Sequence, residues 1–556
     1  MANPFFEALT GKSKNFPEEV CFDLHGIAGH EKRLTFSHVH DRISSTAQMY
    51  IENGVAKGDI VLIFAQHSEG MLLAFFGAQW MGAVPAFMPP PTIKQDVSAW
   101  AKGHKRLIDR IQPHLVVSEP SSLEHVKALG VDVIVSTDEI EVFQTPKRPT
   151  AVPVDLDNIA FLQHSSGTTG LKKGVTVTYR QLLSQLDVYG DAIGIDDTSN
   201  VISWLPIYHD MGLVAATLLP MRKGVPVRLI DTFAWLSNPG VLISLLEKHP
   251  NAYCWLPNFA FNYLAKRARL DLSENALSGV RAVINCSEPC KQDDMHAFET
   301  RFGPHGLPAN AVQICYAAAE YVFAIAQTPR RAPITGLLVD AHILESERRV
   351  VVAHEATDRS KVIMPVGMPI EGVDIRIGDN LQDGNVGEVV IRGPSMCGGY
   401  FRNEETTKRK FVDGWYQTGD LGFKYEGVLY ITGRVDDLII VRGKNLYAHD
   451  IEQLASTIPG VKPGRTTAFG VDDASGTQQL ILAVEATGEV AVRALKAEII
   501  GRINDSFGIA PAHVVAVRAN SLVKTTSGKI SRSENRKNYL TRSMDLAELD
   551  FEGSRL

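Results

Sequence analysis

The chain is predicted to be an α/β protein with a large N-terminal domain of βαβ subdomains plus a β-rich subdomain, followed by a small α+β C-terminal domain. Three observations predict this. From Asp59 to about Asp340, short runs rich in Val, Ile and Leu alternate with longer helix-like segments, which is the pattern of βαβ units around parallel sheets. From Gly367 the texture changes to strands punctuated by glycine turns, and after Arg434 a compact α+β pattern returns.

Taken in order, Ile60 to Phe64, Leu115 to Val117, Val133 to Val135, Ile159 to Leu162, Val201 to Trp204 and Val227 to Ile230 are unbroken apolar runs. Such runs suit strands covered on both faces. Met71 to Met88 is the longest apolar stretch, but Gly77, Gln79, Gly82 and Pro85 interrupt it, so a buried helix, turn and strand are expected rather than a membrane span. The β-rich subdomain is expected over about residues 367–434, with strands at Val373 to Ile377, Gly387 to Gly393 and Gly427 to Gly433. Beyond it, strands are expected near Thr467 to Gly470, Gln479 to Val484 and His513 to Val517, with a helix near Val490 to Phe507. The main boundary falls at Gly433 to Asp437, dividing residues 1–434 from 435–556.

Composition narrows the function. A length of 556 residues allows several domain-sized units, and 45 glycines with 28 prolines are too few for a low-complexity or collagen-like chain. The net charge of −7 is mild for this size and gives no reason to expect nucleic acid as a partner. The first residues lack a basic stretch followed by an apolar run, so no signal peptide, no integral membrane segment and a cytoplasmic location are expected. The six cysteines are scattered, with no C-x-x-C pair, and read as buried thiols in a reducing compartment.

The most informative segment runs from Asn158 to Gly174 (NIAFLQHSSGTTGLKKG). An apolar strand enters a loop of hydroxyls and glycines that ends in lysines. Glycines let backbone N–H groups approach phosphate oxygens, Ser and Thr hydroxyls donate to them, and a lysine supplies charge. It is not a Walker loop, because no G-x-x-x-x-G-K-[ST] spacing is present and the Gly11-Lys12-Ser13 triplet lacks the upstream glycine.

Ser165 to Gly174 (SSGTTGLKKG) resembles the phosphate loop of the adenylate-forming superfamily of acyl-CoA synthetases, luciferases, peptide-synthetase adenylation domains and fatty acyl-AMP ligases. Further matches follow in that family's order. Tyr316 to Glu320 (YAAAE) is similar to its adenine and magnesium motif, and Trp415 to Asp420 (WYQTGD) to its ribose motif. Gly433 to Gly443 (GRVDDLIIVRG) resembles its hinge segment, and Thr526 to Arg532 (TSGKISR) the segment that carries a catalytic lysine. A lone Glu or Asp among these would be read as a surface or turn residue; their order changes that. The basic set Lys524, Lys529, Arg532, Arg536, Lys537 and Arg542 reads either as a solvated face or as a dock for an acidic partner.

Within the superfamily, Pro206 to Leu213 (PIYHDMGL), Asn285 to Pro289 (NCSEP) and Lys444 to Glu452 (KNLYAHDIE) resemble the fatty acyl-AMP ligases. So does the interval between Glu320 and Gly367, where 46 residues include the alternating run Leu337 to Val352 and correspond to that family's insertion. There the insertion is thought to restrain the C-terminal domain and discourage CoA, so that the acyl group passes to an acyl carrier protein. Departures are Ala317 for the usual glycine, Cys286 and Ser287 for Gly and Ala, Leu171-Lys172 where Leu-Pro is common, and Leu446 and Ala448-His449 after the hinge.

The resemblance implies ATP-dependent activation of a fatty or related carboxylic acid to acyl-AMP, then transfer to the phosphopantetheine thiol of an acyl carrier protein, with CoA as the alternative acceptor. It implies ATP and Mg²⁺ as cofactors. Lys529, Glu320 and His209 are then the catalytic candidates, with Mg²⁺ held through Glu320 and the Thr168 hydroxyl. The nucleotide would be bound by Ser165, Ser166, Gly167, Thr168, Thr169, Gly170 and Lys173. Tyr316, with Ala317 beside it, and the backbone of Ser287, Glu288 and Pro289 would flank adenine, Asp420 and Arg434 would hold ribose, and Lys529 would bridge carboxylate and α-phosphate. His209 and Met211 fall near the acyl entrance. Asp436 is the hinge about which a mobile C-terminal domain would turn.

Overall fold

The computed structural model describes residues 3–26, 31–91, 97–131, 134–165, 173–269, 271–357, 359–379, 382–441, 444–473, 478–487, 491–525 and 529–546. The alternation of apolar runs with helices builds two sheets. One has six strands in the order Ile134–Ser136, Leu115–Ser118, Ile60–Phe64, Val84–Met88, Ile159–Ser165 and Lys173–Thr178; all neighbours are parallel except the last pair. Every residue of Ile60–Phe64 and Val84–Met88 is buried, as two covered faces require. The helix Glu69–Trp80 between them is buried at each position, and Ser68 caps it by accepting from the Met71 N–H at 3.1 Å. Met71 to Met88 is therefore the buried helix, turn and strand that its interruptions indicated. No helix of the described residues is long and apolar enough to cross a membrane.

The second sheet is the larger of the two. Among the described residues it has 14 strands. A parallel core includes Val227–Ile230, Asn200–Ser203, Ala252–Leu256, Val280–Cys286 and Val312–Ala317, and it continues without a break into an antiparallel arm of Ala324–Gln327, Pro365–Pro369, Val428–Arg434, Trp415–Tyr425, Gly387–Arg392 and Asp374–Ile377. The β-rich segment is thus not a separate sheet. Pro365–Pro369 joins the two parts, pairing with Ala324–Gln327 on one side and Val428–Arg434 on the other. Gly367 permits this: its φ is 98°, and a Cβ there would lie 2.1 Å from the Gln327 carbonyl carbon.

The alternating run after Leu337 departs from its apparent strand period. Leu337–Asp340 and Ser360–Ile363 do pair antiparallel, but the helix Ala341–Glu347 lies between them, capped by Asp340, which accepts from the Ile343 N–H at 2.9 Å. Val339, Leu344 and Ile363 from this insertion pack with Phe423, Tyr430 and Tyr447 in a small apolar cluster of their own. Beyond it, the sheet of Val461–Asp472, Gln478–Ala486 and His513–Val517 carries the helices Ala448–Ser456, Val492–Phe507 and Arg532–Leu540. These elements enclose a core running from Ile439 to Val514 that is distinct from the main one. His513–Val517 has the bounds its apolar run indicated, whereas Val461–Asp472 and Gln478–Ala486 are longer than their runs, because strand pairing extends into exposed and half-buried residues.

Candidate active site

The end of the strand Val312–Ala317 faces the hairpin Trp415–Tyr425/Val428–Arg434, whose register sets Asp420 opposite Arg434. The Tyr316 hydroxyl donates to Asp420 Oδ2 at 2.6 Å, and Arg434 Nε lies 3.2 Å from Oδ1. Arg434 also donates to the Thr418 carbonyl at 3.3 Å, and the Thr418 hydroxyl accepts from the Asp420 N–H at 3.0 Å. Burial pushes the Asp420 carboxyl above its ordinary range, with Arg434 and Tyr316 acting against it. The same carboxylate holds the Arg434 guanidinium up, and burial together with Asp420 raises the Tyr316 phenol.

Glu320 follows within the single turn Ala319–Tyr321. The next residue, Val322, has φ 64°, a region that a β-branched side chain rarely enters and one associated with strain near functional groups. The turn is held because the Cys397 N–H donates to the Glu320 carbonyl at 2.8 Å and the Tyr400 hydroxyl donates to Glu320 Oε1 at 2.6 Å. Lys173 Nζ sits 5.2 Å from the centre of the Tyr400 ring. Burial lowers the Lys173 ammonium pKa, and Glu320 opposes that shift.

Lys173 leads out of the glycine-rich loop, and Ser165 pairs with it across the strands on either side. Ser166, Gly167, Thr168, Thr169 and Gly170 lie outside the described residues, as does the Ser165 side chain. One further cation, Lys410, converges with Arg434 nearby. A Cβ on Gly419 would be 3.3 Å from Lys410 Nζ and 3.4 Å from an Arg434 guanidinium nitrogen, so Gly419 leaves room for both.

The third group forms around Ser287, which has φ 73° at the end of Val280–Cys286. The Lys529 ammonium donates to the Ser287 carbonyl, placing the C-terminal lysine against the N-terminal sheet. The Ser287 hydroxyl contacts Met211 Sδ at 3.9 Å. Met211 opens the π-helix Met211–Leu218, a one-residue expansion of the helical turn often found at functional sites. Gly212 fits because a Cβ there would lie 2.3 Å from the Pro206 carbonyl oxygen. Asp210 caps that helix, accepting from the Met211 N–H at 2.9 Å; burial raises its carboxyl, and the facing Lys529 opposes the shift.

The structure therefore brings together Tyr316, Asp420 and Arg434, then Glu320 and Lys173, then Lys529, Ser287 and Met211. The His209 ring packs on Tyr208 with centroids 4.8 Å apart, and its carbonyl accepts from Leu213 N–H at 2.8 Å. Glu288 turns away, accepting from the Phe259 N–H at 3.1 Å. Ala317 pairs with Ala324, Pro289 follows Glu288 in the same loop, and Asp436 lies in the turn Val435–Asp437. Arg532, read as part of a solvated or docking face, is instead bound internally to Asp437 at 2.5 Å and Glu452 at 2.6 Å. Arg536 likewise donates to the Gly470 carbonyl at 2.8 Å. Tyr400 and Lys410 were missed, since only residues distant in sequence mark them, while Asp210 lay inside the quoted PIYHDMGL segment without a role assigned to it.

A buried carboxylate shared by a phenol and a guanidinium, with Lys173 leading out of a glycine-rich loop, is consistent with an adenylate-forming ligase, and the family match makes the assignment. The chain belongs to the AMP-binding enzyme family, which it matches over residues 9–401. It is 28% identical over 532 residues to a putative acyl-CoA synthetase of Caulobacter vibrioides, covering 94% of this chain and 93% of that protein. It is 27% identical over 539 residues to JamA of Moorena producens, a medium-chain-fatty-acid–[acyl-carrier-protein] ligase, covering 92% and 90%. A solved structure from work on fatty acyl-adenylate ligases of E. coli and L. pneumophila superposes with a TM-score of 0.86 at 25% identity, covering 98% of each chain.

Proposed function

We propose that the protein activates a fatty acid with ATP to an acyl-AMP, releasing pyrophosphate, and then passes the acyl group to the phosphopantetheine thiol of an acyl carrier protein. The observation that carries the first step is Lys529 lying against Ser287, within electrostatic reach of Asp210. The acid's carboxylate oxygen attacks the α-phosphorus; a mixed anhydride forms as the bond to the bridging oxygen of the β-phosphate breaks. Both reactants are anions, so the protein's work is positioning and neutralising charge.

Lys529 neutralises the carboxylate and the α-phosphate. Asp420, held by Tyr316 and Arg434, accepts from the ribose hydroxyls. Lys173 and Lys410 stabilise the departing pyrophosphate. Glu320, a hard oxygen donor oriented by the Tyr400 phenol, is the residue that would hold magnesium. When bound, the ion would offset charge on the phosphate oxygens. Residues 1–434 then form the adenylation domain and 435–556 a mobile C-terminal domain turning at Asp436, which withdraws Lys529 before the thiol attacks and AMP leaves.

The acceptor assignment rests on the insertion. Lys361 Nζ pairs with Asp450 at 2.5 Å, Asn445 Nδ2 donates to the Glu345 carbonyl at 2.9 Å, and Arg348 donates to Asn445 Oδ1 at 3.3 Å. These contacts fasten the insertion to the segment that follows the hinge, which supports a restrained C-terminal domain. The test supplies protein, ATP, Mg²⁺ and an acid, with holo-carrier protein or CoA as acceptor, and scores acyl-AMP, acyl-carrier and acyl-CoA by mass spectrometry. Acyl-AMP that persists with CoA and discharges to the carrier supports the reading; rapid acyl-CoA formation replaces it with a CoA ligase.

A further inference from the structure

Three parallel strands from different sheets end at one seam: Ile60–Phe64 from the six-stranded sheet, and Asn200–Ser203 and Val227–Ile230 from the large one. The carboxyl ends of such strands are where α/β folds place ligands. A narrow cavity of about 70 Å³ opens there, and its wall includes the Leu205–Tyr208 segment that leads directly into His209 and Asp210. Met71, Leu205, Ile207 and Leu229 make it mostly apolar.

Polar side chains also reach that wall, from Gln66, His67, Tyr208, Asp231 and Thr232, and the Thr232 hydroxyl is already engaged, donating to the Trp204 carbonyl at 3.0 Å. Asp231 is occupied, because one carboxylate oxygen accepts from the Phe233 and Ala234 N–H groups, each at 2.9 Å, to cap the helix Thr232–Ser237. His67 is different: its Nε2 is buried and has no hydrogen-bond partner among the described residues. Burial keeps the imidazole neutral by lowering its pKa, with Asp231 opposing. A neutral imidazole nitrogen either donates or accepts, depending on the tautomer. An orphaned ring nitrogen on the wall of an apolar cavity is a group awaiting a ligand.

We propose that this cavity is a polar subsite for the acyl chain and that His67 selects substrates carrying a hydroxyl on the chain. The inference rests on the acid-activation reading above and adds the substrate class. A second carboxylate is disfavoured by Asp231, and an ammonium would have to shed its water among apolar side chains. A hydroxyl carries no charge, fits a space of roughly two water volumes, and satisfies Nε2 in either tautomer. Plain alkyl acids would leave the ring nitrogen unpaired, which is how a hydrogen-bonding site discriminates.

The test measures acyl-AMP formation from dodecanoate, its counterparts hydroxylated at successive carbons, and the matching ω-amino and dicarboxylic acids. In the wild type, kcat/KM for at least one hydroxy acid should exceed that for dodecanoate by about 10-fold. His67→Leu should erase that ratio while dodecanoate is still activated, and His67→Gln, which keeps a donor and an acceptor, should retain most of it. The wild-type series stands by itself if the Leu variant fails to fold. No preference for any hydroxy acid, a preference for the amino or dicarboxylic acid, or a ratio unchanged in His67→Leu overturns the subsite while leaving activation intact. Absence of acyl-AMP from every acid overturns the activation reading and the subsite with it.

Discussion

Lys529 and Ser287 are 242 residues apart in sequence, yet the lysine ammonium is hydrogen-bonded to the serine carbonyl. The serine holds a left-handed backbone, φ 73°, so that its carbonyl is presented to the lysine at the end of its strand. One contact thus joins the C-terminal segment to the parallel sheet that carries Tyr316.

Replacing Lys529 by alanine should lower acyl-AMP formation by at least about 10²-fold, the scale of losing one charge-stabilising donor. Acyl transfer from supplied acyl-AMP should stay within about 2-fold of wild type. Pyrophosphate release and thioester formation, measured separately, check this; equal losses would reject the assignment.

Tyr316→Phe removes the 2.6 Å hydrogen bond to Asp420 without disturbing Arg434. A bond to a charged acceptor contributes about 1.5 kcal/mol, so KM for ATP should rise about 10-fold with kcat nearly unchanged. A fall in kcat at constant KM would place Tyr316 in the chemical step instead.

Lys410→Met should weaken pyrophosphate more than acyl-AMP. In the reverse reaction, acyl-AMP plus pyrophosphate to ATP, KM for pyrophosphate should rise about 5-fold, the scale of one cation beside a phosphate. KM for acyl-AMP in thiol transfer should be unaffected, and Lys410→Arg should restore most of the loss. Equal effects on both substrates would make Lys410 a partner of Asp420 alone.

The legible part of this site was composition and order. The residue types from Ser165 to Lys173 suggest phosphate binding by themselves, though 166–172 lie outside the described residues, and Tyr316, Glu320, Asp420, Arg434 and Lys529 fall in a familiar sequence of motifs. Tyr400 was invisible because it acts on Glu320, 80 positions away, through a fold contact. Lys410 sits in a charged helical turn, Glu404–Lys410, that looks solvated, and only Gly419 reveals which way its ammonium points. The helix Ala341–Glu347 was hidden for another reason. It buries Leu344 alone, so it offers no 3.6-residue stripe and the flanking strands dominate the pattern. Arg532 looked free because Asp437 and Glu452 come from elements whose approach is set by the C-terminal core.

Breaking the clamp should change acceptor choice. Lys361→Ala removes the partner of Asp450, whose carboxyl is held low by Lys361 and His449 despite its burial. CoA-dependent acyl-CoA formation should rise about 10-fold, with adenylation within about 2-fold of wild type. Unchanged CoA use with an unchanged melting temperature would show that the insertion does not govern the acceptor.

The clamp should also respond to pH. Burial, with Asp450 beside it, pushes Glu345 from 4.5 up to about 7, while Lys361 and Lys444 pull the other way. The docked state holds this proton more tightly than an undocked one, where the carboxyl returns toward its ordinary value. Docking is therefore strongest below that value and weakens as pH rises through about 7. Hydrogen exchange in Leu438–Val441 should accelerate between pH 5 and 8 in the wild type, after correction for intrinsic exchange, and Glu345→Gln should flatten the trend. A profile identical in both proteins would remove Glu345 from the clamp.

Pro365–Pro369 has a consequence for how the protein fails. Tyr316 and Asp420 lie on strands separated by three others, and all five belong to the sheet that also forms a wall of the His67 cavity. Because Pro365–Pro369 hydrogen-bonds to both parts of this sheet, damage to that joining strand should be felt on both sides of it. A lesion at Gly367, whose neighbours are the Gln327 and Thr328 backbone, would then present as a defect in nucleotide and acid alike, and a kinetic survey alone would mistake a broken seam for two injured binding sites.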